Sequence, residues 1–95
     1  AKADKVLHLD EWKALDETIN AEIENFRSTI YEYHDISMQE YRICMLIRLD
    51  IPVKDIGTLL SLSTSGISKA RKRLQEKLFG NDGTAKDFDA FIKSL

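Results

Sequence analysis

The chain has one cysteine, one proline and four glycines in 95 residues, and no apolar run approaches the ~18 residues that a membrane span requires. With a single thiol there is no disulfide framework and no cysteine-paired zinc site. Cys44 lies in the apolar run YRICMLIRL, where a small buried hydrophobe is the plain reading and a reactive thiol the sharper one. The two histidines, His8 and His34, stand most of a helix apart, and the chain has no H-E-x-x-H, no G-x-S-x-G and no glycine-rich phosphate loop. Tyr33, His34 and Asp35 read as a helix C-terminus with a cation-capable histidine rather than as a proton relay. These absences argue against an enzyme and predict neither a metal nor a cofactor. The opening AKADKVLHLD lacks the charged-then-apolar layout of a signal peptide. Without an initiator Met, it is expected of a piece cut from a longer protein.

What remains is a charged, helix-forming sequence. A hydrophobic fraction of 43% beside a charged fraction of 32% fits a water-soluble globular chain and argues against disorder. A chain of this size buries only roughly 60 to 65% of the surface it exposes when unfolded. Every amphipathic segment must therefore join one core.

The formal net charge of -2 conceals a division. Residues 1–40 carry four Lys/Arg and ten Asp/Glu, residues 41–80 carry eight and three, and residues 81–95 carry two and three. The middle third is thus strongly basic, and its local field suits a polyanion although the total does not.

The apolar spacing divides the chain into helices. From Asp10 to Tyr33, Trp12, Leu15, Ile19, Ile23, Phe26, Ile30 and Tyr33 recur every three or four residues with no Pro or Gly between them. This predicts one continuous amphipathic helix, capped by Asp10, that packs onto its own domain or pairs with a second chain. Ser37 with Glu40 has capping-box spacing, and Ile36 with Tyr41 that of a hydrophobic staple, so a second helix is expected from about Met38 to Leu49. Pro52 ends it and opens a short third helix with Val53, Ile56, Leu59 and Leu60 inward. Three residues, SLS, then lead to Ser63 as the cap of a fourth helix, Thr64 to Phe79, burying Ile67, Ala70, Leu74 and Leu78. Gly80 is expected to close it in a left-handed cap, with the turn continuing through NDG. Thr84 and Asp87 repeat the capping box before a last helix whose apolar face is Phe88, Phe91, Ile92 and Leu95.

The expected fold is all-α with five helices: a long amphipathic connector in residues 1–35, a helix-turn-helix core in 36–80 and a C-terminal capping helix in 81–95.

Two short helices joined by a three-residue turn, the second basic, have the layout of a helix-turn-helix. Counting ~100° per residue from the core stripe puts Ser65, Ser68, Lys69, Lys72 and Glu76 on the opposite face of the fourth helix, with Arg73 on one shoulder and Arg71 at the core's edge. Small polar residues at the N-terminal turns let a helix approach base edges, and long cations behind them reach G O6/N7 and phosphates.

Residues 36–78, ISMQEYRICMLIRLDIPVKDIGTLLSLSTSGISKARKRLQEKL, resemble the LuxR/GerE-type helix-turn-helix. The match holds without a gap at Glu40, Lys54, Asp55, Ile56, Leu60, Leu62, Ser63, Ile67, Leu74, Lys77 and Leu78. Asp50 stands where that family has glycine, Pro52 where it has a capping serine, and Gly66, Ser68 and Ala70 where it has Thr, Lys and His. The resemblance implies base contacts at Ser68, Lys69 and Lys72, to which the helical count adds Ser65, and phosphate contacts at Lys54, Thr64 and Arg73. It implies double-stranded DNA as the partner, a cytoplasmic location and no membrane contact by these residues. The long first helix and the tail KLFGNDGTAKDFDAFI further resemble the C-terminal output domains of large bacterial sensor-regulators, whose parent chains often carry a membrane span and would act as homodimers. A second reading stays open, a protein-interaction module of the same fold that does not read DNA, its acidic first helix docking a basic partner.

Overall fold

In the computed structural model, which describes residues 7–80 and 83–95, six helices and no strand are present among the described residues. They are α1 (Leu9–Glu22), α2 (Phe26–Tyr33), α3 (Met38–Arg48), α4 (Val53–Leu60), α5 (Thr64–Phe79) and α6 (Ala85–Lys93). The all-α expectation holds, and the count of five does not. The single long N-terminal helix is two helices with a bend between them.

Length explains the bend. A straight helix from Asp10 to Tyr33 would run about 36 Å, nearly the longest dimension of the molecule, 39 Å. Only part of its stripe could then lie on α3, which is about 16 Å long. Turning at Asn25, whose φ of 63° is left-handed and tolerable for asparagine, buries Trp12 and Ile19 from one half and Phe26 and Ile30 from the other.

Polar groups hold the bend in place. The Arg27 amide at the start of α2 donates to Asn20 Oδ1 at 3.0 Å, giving a partner to one of the amides a helix start leaves open. Asp16 accepts from Tyr41 Oη at 2.6 Å and from Arg27 Nη1 at 3.1 Å, so α1, α2 and α3 share one hydrogen-bonded knot. Burial, then the hydrogen bond to the Asp16 carboxylate, pushes the Tyr41 phenol above its usual range. Tyr33, expected in the core stripe, is 49% exposed instead. The cap of α1 is His8, not Asp10: the cap lies two residues earlier, and Glu11 Oε1 accepts from the His8 amide at 3.0 Å.

α3 lies at the centre. Tyr41, Ile43, Cys44, Met45, Leu46 and Ile47 are all buried, because α1, α5 and α6 cover it on several sides. Its start is the expected capping box, with Glu40 N–H donating to Ser37 Oγ at 3.1 Å and Ser37 N–H to Glu40 Oε1 at 2.8 Å. Cys44 is fully buried and burial raises its thiol pKa, so it is a core residue rather than a reactive one.

After α3 the chain passes through Asp50 in the left-handed region, at φ 61°. It enters α4 at Pro52, which has no side chain to cap with. Ile56 is fully buried, whereas Val53, Leu59 and Leu60 are only half-buried. α4 ends in a tight motif: Ser61 is left-handed at φ 58°, and the Leu62 amide donates back to Gly57 O at 2.8 Å, the six-to-one bond of a Schellman cap. A Cβ on Gly57 would stand 2.6 Å from Leu62 O. Glycine is therefore what allows the two helices to close on a three-residue connection.

α5 runs from Thr64 to Phe79 as expected, with Ser63 Oγ accepting from the Gly66 amide at 3.0 Å. Ile67, Leu74 and Leu78 are buried and Ala70 is half-buried. Gly80 has positive φ, 93°, but ψ of -171°. The end is thus an extended exit and not the left-handed helical cap expected. Asn81 and Asp82 of the NDG turn lie outside the described residues. α6 has its capping box, with the Asp87 amide donating to Thr84 Oγ1 at 3.2 Å, and it packs on α5 and α3 through Phe88 and Ile92. No helix among the described residues is long and apolar enough to cross a membrane.

Candidate nucleic-acid interface

Five cations crowd the sequence of α5, and the fold gives them different tasks. Arg71, expected at the core's edge, is buried: its Nε donates to Asp89 Oδ1 of α6 at 3.0 Å, and Nη2 donates to the other carboxylate oxygen. This forked pair fixes the angle between α5 and α6. Lys77 Nζ reaches both carboxylate oxygens of Glu40 at 2.9 Å, tying the C-terminal half of α5 to the first turn of α3. Lys72 Nζ donates to the carbonyl of Gly83 in the segment leading to α6 and lies 3.7 Å from Glu76 Oε2. Lys69 and Arg73 make no ion pair among the described residues and are exposed.

The expected base-contacting set is brought together. Ser65, Ser68, Lys69 and Lys72 line one shallow depression on the outward face of α5, with Arg73 and Glu76 completing its edge. Arg73 is a ridge residue, since it also lines a second depression with Gly66, Ala70, Leu62, Lys77 and the start of α3. Thr64 is exposed at the first position of α5, and Lys54 is exposed in the first turn of α4; neither lines that depression. The α5 face thus has small hydroxyls toward its N-terminus and two uncommitted cations behind them. The third cation, Lys72, would have to leave the Gly83 carbonyl to reach a ligand.

Sequence reasoning missed the Lys77–Glu40 clamp. Capping spacing marks Glu40 as a helix-start residue, and nothing local connects it with Lys77, 37 positions on in the chain. Burial alone would raise the Glu40 pKa, but the Ser37 amide and the Lys77 ammonium together outweigh it and hold the carboxyl below its usual range.

The sign of the resulting pH dependence follows. A carboxyl depressed in the folded state stabilises the fold above its unfolded-state pKa, and that contribution is lost as pH falls through the lower folded-state value. Lys77→Gln is therefore expected to cost about 1 kcal/mol at pH 7, and the deficit should fade as Glu40 protonates. Urea unfolding of both proteins at pH 7 and pH 3 checks this. An equal deficit at both would mean that Lys77 acts by packing instead.

Against models of known protein families, curated proteins and solved structures, the chain finds no match.

Proposed function

We propose that the chain binds double-stranded DNA in a sequence-specific way, as the output domain of a bacterial transcription regulator, with α4, the turn and α5 acting as a helix-turn-helix and α5 entering the major groove. The observation that carries this reading is the outward face of α5, where Ser65, Ser68, Lys69, Lys72 and Arg73 share one open depression behind a three-residue turn. Ser65, Ser68, Lys69 and Lys72 are the proposed base contacts, and Lys54, Thr64 and Arg73 the proposed phosphate contacts. Helix-turn-helix domains commonly bind as dimers to half-sites about one helical turn apart. The proposal therefore pairs this domain with a second copy in the full-length protein, in the cytoplasm.

The division of the cations sharpens the expected electrostatics. Arg71 and Lys77 are committed within the fold, Lys72 is held by the Gly83 carbonyl until it leaves to bind, and Lys54, Lys69 and Arg73 make no ion pair among the described residues. Neutralising about two phosphates, through Lys54 and Arg73, gives a slope of log affinity on log salt near -1.8.

Fluorescence anisotropy against labelled random duplexes at two salt concentrations tests the reading, with Lys69→Ala/Lys72→Ala as the control. Salt-dependent binding that the double variant loses supports it, and the operator can then be selected from the pool. On that operator Lys69→Ala is expected to cost about 1 to 3 kcal/mol and relax specificity, whereas Arg73→Ala should weaken all duplexes alike. Lys72→Ala should cost less than Lys69→Ala, since Lys72 gives up the Gly83 carbonyl to bind. Absence of binding at low salt by a folded protein favours the interaction module. The commitment of Arg71, Lys72 and Lys77 to partners inside the fold is the observation on that side.

A further inference from the structure

A groove of about 300 Å³ lies between α1 and α3, on residues that the DNA reading does not use. Its walls are apolar: Leu9, Trp12, Met38 and Met45 line it, and Leu9 and Met38 at its mouth are 77% and 52% exposed. Leaving two large apolar side chains open to water beside each other is unfavourable by roughly 25 cal/mol per Å² of apolar surface that could be covered. Met38 and Met45 both come from α3, and their flexible side chains give that wall the means to adjust to an occupant.

The charges lining the groove select the kind of occupant. Lys13 is exposed and makes no ion pair among the described residues. Arg42 lies with its guanidinium carbon 4.9 Å from the centre of the Trp12 ring, and its Nε is buried with no hydrogen-bond partner there. Among the described residues Asp16 is the one acid lining the groove, and it is already engaged by three side-chain donors. One oxygen accepts from Tyr41 Oη and Asn20 Nδ2 at 2.6 and 2.7 Å, and the other from Arg27 at 3.1 Å. Asp10 and Glu17, one turn either side of Lys13, are exposed and do not line it. The uncompensated charge facing an occupant is therefore positive, on an apolar floor.

We propose that this groove binds a small amphipathic carboxylate, its hydrocarbon part against Trp12, Met38 and Met45 and its carboxylate between Lys13 and Arg42. A forked guanidinium suits a carboxylate. The groove is at the small end of ligand sites, so a chain of about ten carbons is the fitting size. The inference is independent of DNA binding and stands or falls separately from it.

Trp12 is the only tryptophan and forms part of the wall, so its emission reports occupancy directly. Decanoate, titrated below its micelle concentration, is expected to give a saturable change in Trp12 fluorescence and to raise the melting temperature. Lys13→Glu, a change at an exposed position, should weaken the apparent affinity about tenfold, and Met38→Glu should abolish the response. Decyltrimethylammonium, with the same chain and the opposite charge, should bind much more weakly. The proposal is overturned by the absence of a saturable response from a protein whose circular dichroism shows it folded. Equal binding of the two amphiphiles, or a melting temperature that falls with decanoate, overturns it as well.

Discussion

Leu74→Ala is expected to destabilise the domain by about 2 to 5 kcal/mol, a fall in melting temperature of roughly 10 °C or more for a chain of this length. Leu74 has no accessible surface and stands in the one continuous core with Ile43, Ile56, Ile67 and Phe88. α3, α4 and α6 all pack on α5, so the cavity left by truncation cannot close by moving one of them alone. The loss should be confined to stability. If α5 binds DNA as proposed, then at a temperature where the variant is still folded its affinity should match the wild type, because Leu74 is on the face opposite Lys69. Thermal and urea unfolding measure the first part, and anisotropy at low temperature the second. A variant as stable as the parent would mean that α5 buries a different face.

Gly57→Ala is expected to act in the complementary way, disturbing geometry as much as stability. The added methyl would sit 2.6 Å from the Leu62 carbonyl oxygen. That oxygen is backbone, fixed between the left-handed Ser61 and the capping Ser63, so relief requires α4 and α5 to move apart or the turn to open. Overpacking of this kind costs about 1 to 3 kcal/mol. Because the turn also sets how α5 stands relative to α4, the proposed DNA binding should weaken further than the stability loss alone predicts, even where the variant is fully folded. Paired measurements of unfolding free energy and DNA affinity on one preparation separate the two effects. Affinity unchanged in a folded Gly57→Ala protein would show that the angle between α4 and α5 does not govern binding.

What could be read in the sequence, and what could not, divides along chain distance. The limits of α5 follow from Ser63 and Gly80. The start of α3 follows from Ser37 and Glu40, and the start of α6 from Thr84 and Asp87, since caps are set by residues three apart. The face of α5 that carries Ser65, Ser68 and Lys69 follows from periodicity alone. The bend at Asn25 left no such mark, because an unbroken apolar repeat runs through it and Glu22 and Glu24 just before it favour helix. It is imposed from outside by the limited length of α3 and by the Asp16–Tyr41–Arg27 knot. The fates of Arg71, Lys72 and Lys77 were equally hidden. Each is settled by an oxygen atom on another element, at Asp89, Gly83 and Glu40, and a count of charges along one helix does not tell a structural cation from a free one.

The far end of α5 has a different kind of neighbour. Tyr33, Phe79 and Phe91 meet edge to face, with ring centres 5.2, 5.1 and 4.8 Å apart, where α2, α5 and α6 come to their C-terminal ends. Any tilt of α5 about this aromatic contact would be magnified along the helix. From Phe79 to Ser65 the helix runs about 21 Å at 1.5 Å per residue, so a tilt of about 5° at the aromatic contact displaces Ser65 by about 1.8 Å. A displacement of that size is enough to break a hydrogen bond to a base edge. A rotation of α5 about that end would be felt most at Ser65, at the far end of the helix.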